Sequence, residues 1–551
     1  MILFKAVSVM DKCFLDEKFE DKAAIEAIEG LRGEECAFQL AYVSDCPDDY
    51  PRALCRLTVE SPLGDAVTVR MVENVPVRYP AQNYTDDYFL RKTPGFYPDL
   101  LLPLDPDSQV MVTYGMLKTL YVTVNTPADL AGGDYPITFT LTRDGETAAC
   151  VTVNFHCVPV ALPKQTMAVT EWFHSDCIAN YYRLDTFSEE HWEYIEKFIR
   201  TAVKNGINTI LTPVFTPPLD TAVGHERRTI QLTDVTETAD GWQFGFEKLE
   251  RWVRLCLRCG VEHFEISHLY SQWGAEHAPK IMGTDKNGEY RRLFGWETEA
   301  TSDEYRTFLR SFLTALLAKM RELGAEDMCF FHISDEPSVE QMDSYRAAKA
   351  QVEDLLVGHR VMDALSHIEF YNEGVTVCPI PTTGAMEPFL EAGVPDLWTY
   401  YCCGVPAGAS NRLLAMPMER TRVIGLQFWK YNITGFLQWG YNFYNSCGSI
   451  RPIDPYLITD GEYWVPAGDC FAVYPGPDGE PYETLHMKAF TLALQDVRAL
   501  QLAACAASRE ELMGIVESFG EITFTSNPRG NSWLEQVRGK VNRLIEERMA
   551  K

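Results

Sequence analysis

The sequence lacks any apolar stretch long enough to span a membrane, for which about 20 residues in succession are needed. Its first twelve residues, MILFKAVSVMDK, carry Lys5, Asp11 and Lys12. They contain no long apolar run ending in a small-residue cleavage site, which a secretory signal would require. We therefore expect a protein without a membrane span, located in the cytoplasm.

Positive charge is also scarce. The 551 residues include 49 Lys and Arg against 78 Asp and Glu, which gives a formal net charge of -29 at pH 7. Nucleic acids and anionic membrane surfaces would repel such a chain. The composition therefore argues against both partners and fits a neutral or cationic ligand.

Several cofactor and hydrolase motifs are missing. The sequence has no G-x-G-x-x-G after a predicted strand, no P-loop, no G-x-S-x-G and no H-E-x-x-H. Its 16 Cys, without a secretory signal, predict reduced thiols rather than disulfides. Cys256 and Cys259 form a C-x-x-C inside a helical pattern, but no second pair or histidine cluster completes a metal site. We expect neither a metal nor another cofactor.

The patterns that are present divide the chain into three parts. Residues 1–160 hold short alternating runs between turn residues and predict a β-sandwich, with a helical spacing at 15–31. Residues 165–505 alternate strand and helix patterns and predict a (β/α)8 TIM-type barrel. Residues 506–551 predict a helical cap. The eight predicted barrel strands are 167–173, 209–214, 263–268, 329–333, 361–364, 375–380, 397–401 and 435–439.

Two adjacent acids, Asp335 and Glu336, follow the fourth predicted strand in the stretch MCFFHISDEP. Pro337 favours an extended backbone at Glu336, because its ring clashes with a helical preceding residue. A helical pattern follows over 338–357. Acids before a helix also suit an ordinary helix start. Active sites of parallel α/β folds, however, lie at the carboxyl ends of the strands.

The other predicted strand ends supply aromatic, histidine and amide side chains, a composition that suits a sugar. The candidate sugar-binding residues are Trp172, His174, His268, His332, Tyr400, Tyr401, Trp439, Tyr441 and Asn442. Together with the catalytic candidates Asp335 and Glu336, they would line one concave surface. For any single ring, packing in the core is the alternative.

Four stretches carry a resemblance to a known family: FHISDEP at 331–337, WTYYCCG at 398–404, WKYNITGFLQWGYN at 429–442 and YPGPDG at 474–479. From Trp172 to about Leu500 the chain resembles the catalytic domain of glycoside hydrolase family 123, the β-N-acetylgalactosaminidases, and the wider uncharacterised domain family numbered 4091. The amino-terminal β-sandwich also fits the layout of that family.

The resemblance implies a substrate-assisted, retaining hydrolysis of a β-linked 2-acetamido sugar, with N-acetylgalactosamine as the first choice. The substrate would be an oligosaccharide or a glycoconjugate. Glu336 would act as general acid and then base, while Asp335 orients the acetamido group and stabilises the oxazolinium intermediate. Tyr401 would help to hold the acetamido group, Trp439 would form the floor, and Asn442 and His332 would contact hydroxyl groups.

One stretch departs from the family pattern, with His486 in place of an arginine and Lys488 in place of a glutamate. The exchange indicates a rewired charge network beneath or beside the pocket. Two alternatives stay open. One is a barrel glycosidase that uses a separate nucleophile, such as Glu369 or Asp363, on sugars without an acetamido group. The other is a non-catalytic carbohydrate-binding protein. The sequence makes no prediction of oligomeric state.

Overall fold

The computed structural model describes residues 1–82, 86–105, 107–530 and 532–550. Ten strands at the amino-terminal end form two five-stranded sheets with the orders β1-β3-β8-β5-β6 and β2-β10-β9-β4-β7. The strands are β1 (Ile2–Val7), β2 (Ala27–Arg32), β3 (Glu35–Ser44), β4 (Ala53–Glu60), β5 (Val67–Val77), β6 (Gly95–Pro103), β7 (Gln109–Val112), β8 (Lys118–Asn125), β9 (Gly133–Arg143) and β10 (Glu146–Ala161). The predicted β-sandwich is confirmed.

Alternating side chains explain how these strands pack. In β9, Ile137, Phe139 and Leu141 are buried in the core between the sheets, while the residues between them are partly exposed. A period of two is what a strand with one buried face requires.

The helix predicted over 15–31 is wrong. Its last third forms β2, which pairs in parallel with β10 from Ala27 opposite Asn154 onwards. The carboxylate of Glu34 also accepts a hydrogen bond of 2.9 Å from the backbone N–H of Leu31. Sheet pairing outweighs the local apolar spacing, since tertiary contacts readily override weak helix propensity.

The central part of the chain is a parallel barrel with an additional small sheet. Its strands are β11 (Ala168–Glu171), β12 (Thr209–Thr212), β13 (Asp234–Thr238), β14 (Gly241–Gly245), β15 (His263–Ile266), β16 (Ile281–Thr284), β17 (Tyr290–Phe294), β18 (Cys329–Phe331), β19 (Arg360–Val361), β20 (Asp363–Ala364), β21 (Pro379–Ile380), β22 (Trp398–Tyr400), β23 (Gly435–Gln438), β24 (Tyr474–Pro475) and β25 (Pro481–Tyr482). Seven of them form one curled parallel sheet in the order β19-β18-β15-β12-β11-β23-β22.

A short seam completes the ring of strands. β20 follows β19 after a single residue and pairs in parallel with β21. A parallel bridge between Thr382 and Tyr400 then connects this pair to β22. We call the segment of β20, β21 and this bridge the seam. The predicted order of eight parallel strands is confirmed. The small sheet β14-β13-β16-β17, which the sequence analysis did not predict, lies in the loops after β12 and β15.

Helices cover the outside of the barrel and form the cap. They are α1 (Ser175–Tyr182), α2 (Glu189–Lys204), α3 (Glu247–Cys259), α4 (Asp303–Glu322), α5 (Met342–Ala350), α6 (Glu369–Asn372), α7 (Met386–Glu391), α8 (Glu419–Arg422), α9 (Ile424–Tyr431), α10 (Leu485–Ala503), α11 (Arg509–Val516) and α12 (Ser532–Met549). Among the helices in the described ranges, none combines the length and the apolar sequence needed to cross a bilayer.

The predicted helical cap is confirmed and holds the parts of the chain together. On α12, Arg538 lies 2.7 Å from the carboxylate of Glu34 in the sandwich and 3.0 Å from that of Asp496 on α10. Asp496 also pairs with Arg422 of α8 at 2.7 Å. These buried ions link sandwich, barrel and cap.

Candidate active site

A cavity of about 230 Å³ opens at the carboxyl ends of the barrel strands. This is the end at which (β/α)8 barrels place their active sites. The cavity combines carboxyl groups with aromatic rings. Its lining residues are Trp172, Asp220, Gln272, Trp273, Asp335, Glu336, Ala364, Tyr400, Cys402, Cys403, Leu437, Trp439, Trp464 and Val465.

Asp335 is the buried member of the acid pair, with 5% of its surface exposed. The side-chain amide of Gln272 donates a 2.8 Å hydrogen bond to its Oδ2. The side-chain oxygen Oε1 of Gln272 accepts a 2.6 Å bond from the backbone N–H of Asp220, which fixes the orientation of the amide. Burial and the adjacent Glu336 carboxylate raise the pKa of Asp335 well above its usual range, against the effect of Gln272.

Glu336 is exposed and its carboxylate accepts a hydrogen bond from the hydroxyl of Tyr400. Its backbone φ is 45°, in the left-handed region, so the extended conformation predicted from Pro337 is wrong. The backbone N–H of Glu336 donates a 3.0 Å bond to the carbonyl of Ala364 in β20. These two contacts to the barrel wall hold Glu336 in a conformation that the local sequence disfavours.

Trp439 lies between the cavity and a buried acid. Its indole N–H donates a 3.1 Å bond to Oδ2 of Asp469, and its ring centroid lies 5.3 Å from that of Trp464. Burial raises the pKa of Asp469 to about 6, although Arg412 and the hydrogen bonds oppose the change. Trp439 is therefore fixed both by its tilted contact with the Trp464 ring and by a hydrogen bond.

A charged network lies beneath the acid pair. His332 contacts Glu265 at 2.6 Å through Nε2 and Asp363 at 3.2 Å through Nδ1, and all three residues are fully buried. The indole N–H of Trp172 donates a 2.8 Å bond to the same Glu265, which ties the cavity wall to the network. The ring of His268 stacks on His332 with centroids 4.4 Å apart.

This network also contains a group with the composition of a metal site. Ligand atoms of His268, His332 and Asp363 lie within 4.8 Å of one another. Both ring nitrogens of His332, however, already contact carboxylates, at Glu265 and Asp363. Hydrogen bonding alone therefore accounts for the arrangement of His332.

His174 lies behind Trp439 rather than in the cavity. Its Nδ1 accepts a 3.0 Å hydrogen bond from Arg227, so its Nε2 carries the proton and donates a 2.9 Å bond to the carbonyl of Trp439. Burial and Arg227 lower the pKa of His174 to about 3. Arg227 is itself paired with Asp176 at 2.7 Å. This chain of contacts supports the backbone of Trp439.

Three other predicted residues pack on the outer side of the barrel strands or between loops. Tyr401 comes directly after the last residue of β22 and contacts Phe436, with ring centroids 4.8 Å apart. Tyr441 donates a 2.9 Å bond to a backbone carbonyl of α2. Asn442 bonds both the N–H and the carbonyl of His174, at 2.8 and 3.1 Å. Each therefore has a packing partner away from the cavity.

The structure thus brings part of the predicted set together. Asp335, Glu336, Trp172, Tyr400 and Trp439 line the cavity. The predicted residues that do not line it are His174, His268, His332, Tyr401, Tyr441 and Asn442.

Sequence reasoning missed three polar residues that shape the site: Asp220, Gln272 and Asp469. Asp220 follows the second barrel strand in the stretch TPPLD, and Gln272 follows the third in the stretch SQW. Their position after strand ends was an available signal. Asp469 lies 30 residues beyond Trp439, and no local pattern connects the two.

The two departures from the family pattern lie where α10 meets the sandwich, outside the cavity lining. His486 contacts the carboxylate of Asp99 in β6 at 2.8 Å. Lys488 is fully buried and pairs with Glu35 of β3 at 3.0 Å and with Glu483 at 2.9 Å. The rewired charges therefore bind the sandwich to the barrel.

Comparisons with known proteins agree with this geometry. A family model described as the catalytic domain of glycoside hydrolase 123 matches residues 172–503. A similar solved structure, from work on glycolipid glycan hydrolysis, is a family 123 glycoside hydrolase from Clostridium perfringens. It is 14% identical with a TM-score of 0.72, and the match covers 99% of this chain and 98% of that chain.

A GH5 xyloglucanase from Bacteroides ovatus in complex with a XXXG heptasaccharide is 9% identical. The match covers 85% of this chain and 98% of that one, but its TM-score of 0.31 is too low for inference. The search of curated proteins gives no match. The family model spans more than half of the chain, from the end of β11 to the end of α10. The chain therefore belongs to glycoside hydrolase family 123.

Proposed function

We propose that the chain releases a terminal, β-linked 2-acetamido sugar, in the first place N-acetylgalactosamine, from an oligosaccharide or glycoconjugate. The proposed mechanism is retaining and substrate-assisted, through an oxazolinium intermediate. One observation carries the proposal: two adjacent carboxyl groups, one fixed by Gln272 and one by Tyr400, share a small cavity with Trp439. Such a pair needs no third carboxylate when the substrate supplies its own nucleophile.

The two acids have different surroundings, which suit different roles. Glu336 is exposed, so it can reach both the leaving-group oxygen and the water that later enters. It acts as general acid in the first step and as general base in the second. Asp335 is buried and fixed, so it can accept a hydrogen bond from the acetamido N–H and direct the acetamido oxygen to the anomeric carbon.

The raised pKa of Asp335 fits this role. A buried carboxylate without a positive partner is unfavourable, and the oxazolinium supplies that partner as it forms. Asp335 therefore interacts more favourably with the cationic intermediate than with the neutral substrate. Preferential stabilisation of developing charge is what lowers a barrier.

Cavity size favours a terminal sugar. The volume of about 230 Å³ is below the range of roughly 300–1,000 Å³ that ligand pockets usually span. We infer that one sugar ring enters while the remaining glycan stays outside, which corresponds to exo action.

A second candidate uses Asp220 as a separate nucleophile on sugars without an acetamido group. Asp220 is a third carboxyl group in the same cavity. Of the nucleophiles considered from the sequence, Glu369 is exposed on α6 and Asp363 is buried against His332. Neither lines the cavity.

The test is turnover of aryl β-N-acetylgalactosaminide, β-N-acetylglucosaminide and plain β-galactoside by wild type, Glu336→Gln and the control Glu369→Gln. We expect release from acetamido sugars only. Turnover by Glu336→Gln should fall roughly 10²–10⁴-fold on aryl glycosides whose aryl group is a poor leaving group, and the control should not change. A thiazoline mimic of the oxazolinium should inhibit. Turnover of plain galactoside without thiazoline inhibition would instead establish the separate nucleophile. Binding without any turnover would establish a carbohydrate-binding protein.

A further inference from the structure

Asp220 is held in place by its backbone. The carbonyl of the preceding Leu219 accepts a 3.1 Å bond from Arg227, and the N–H of Asp220 donates to Gln272 at 2.6 Å. The carbonyl of Asp220 accepts a 2.7 Å bond from the hydroxyl of Ser449. The backbone φ of 48° is left-handed, a conformation that Asp tolerates better than most residues. The loop is therefore fixed before any ligand arrives.

The carboxyl group of Asp220, by contrast, has no hydrogen-bond partner within the parts of the chain that the structure describes, although it lines the cavity. It shares that space with Asp335 and Glu336, and the buried Asp469 lies just behind the wall. Burial raises the pKa of Asp220 to about 7; Arg227 opposes this change, and Glu336 and Asp469 add to it.

The described lining residues include no Lys and no Arg. Arg227, near Asp220, is itself paired with a buried aspartate. Above pH 7, where Asp220 is largely ionised, an anionic group entering the cavity would therefore meet this carboxylate beside Glu336 and no unpaired cation. Juxtaposed like charges suppress the binding of a wrong partner. A hydroxyl group, which can donate to a carboxylate, carries no such penalty.

We propose that Asp220 is a specificity-determining residue, which accepts hydrogen bonds from hydroxyl groups of the terminal sugar and excludes sugars that carry a carboxylate or sulfate. The inference rests on the proposed function, because it concerns the sugar bound beside Asp335 and Glu336. It restricts the substrate class to glycans with an uncharged terminal residue.

The test compares aryl β-N-acetylgalactosaminide with its 6-sulfated form in wild type, Asp220→Asn and Asp396→Asn, at a pH of about 8 that keeps Asp220 ionised. Asp396 is a matched control because it is exposed, lies outside the cavity lining and has a left-handed φ of 47°. We expect wild type to prefer the neutral substrate by roughly 100-fold or more in kcat/KM. Asp220→Asn should reduce that preference by roughly tenfold, while Asp396→Asn should leave it unchanged.

Equal turnover of both substrates by wild type would overturn the inference and leave the proposed function intact. A loss of activity in Asp220→Asn with an unchanged preference would also overturn it, because a merely structural role predicts that result. If wild type hydrolyses neither substrate, the proposed function fails. The preference is then measured as the ratio of the dissociation constants of free N-acetylgalactosamine and its 6-sulfate in the same three proteins. Equal affinities of wild type for the two sugars would overturn the inference.

Discussion

His332 should be a charged imidazolium at every pH below about 10, and its replacement by glutamine should destabilise the fold. The ring lies fully buried between Glu265 and Asp363. Burial alone disfavours the cation, but the two carboxylates outweigh it and raise the pKa of His332 from 6.5 to about 10. Burial also raises the pKa of Asp363, against its bonds from His332 and Tyr345.

The magnitude follows from this pKa. At about 1.36 kcal/mol per pH unit, a rise from 6.5 to about 10 corresponds to about 5 kcal/mol. Removing one partner of a buried ion pair costs about 3–5 kcal/mol, so both routes agree. Because the folded-state pKa lies above the unfolded one, the stabilisation is complete below pH 6.5. It is lost as the pH rises through 10.

The assay is urea unfolding, followed by tryptophan fluorescence, of wild type, His332→Gln and His191→Gln across this pH window. His191 is a matched control because it is also buried, but burial lowers its pKa to about 4. We expect the loss in His332→Gln to shrink as the pH approaches 10, and the loss in His191→Gln to stay constant above neutral pH. A loss in His332→Gln that is independent of pH would show a neutral imidazole and refute the reasoning.

Three further predictions concern the acid pair and the cap. Tyr400→Phe should lower kcat/KM by roughly 10–150-fold, because a hydrogen bond to a charged group is worth about 1.5–3 kcal/mol. Equal losses in Tyr400→Phe and Tyr401→Phe would contradict this. Asp335 must be ionised to act, and burial raises its pKa. The acidic limb of the pH profile of kcat/KM should therefore have an apparent pKa well above the ordinary aspartate value of about 3.9. An acidic limb at the ordinary value would contradict the assignment. Arg538→Met should cost about 3–5 kcal/mol in unfolding without changing KM, while the exposed Arg548→Met should cost at most about 1 kcal/mol; equal losses would show that burial of the pair is immaterial.

The sequence predicted the barrel strands because each is a short apolar run that ends in polar residues. It also predicted that Asp335 and Glu336 lie at the cavity, since residues that directly follow a strand lie at the same end of the barrel. It could not separate Tyr400 from Tyr401. A shift of one residue moves a strand side chain to the opposite face, and both positions hold the same residue type.

Other parts of the site depend on contacts distant in sequence. Asp469 reaches Trp439 from a loop outside the barrel strands, and Gln272 acquires its role only because the loop of Asp220 lies beside it. The roles of His486 and Lys488 could not be inferred either. Their partners Asp99 and Glu35 come from the sandwich, more than 300 residues earlier in the chain. Local patterns do not encode such pairings.

Hydrogen exchange in the seam should report whether the cavity is occupied. Glu336 is attached to it twice, through its N–H to Ala364 and through its carboxylate to Tyr400. The seam is a short ladder: β20 and β21 pair over two residues each, and the N–H of Thr383 donates a 2.8 Å bond to the carbonyl of Tyr400. Segments with few such bonds open locally at low free energy. Deuterium uptake at the amides of Thr383 and Tyr400 should therefore slow when a sugar occupies the cavity. Amide hydrogen exchange in the barrel wall would then report ligand binding without any label in the site.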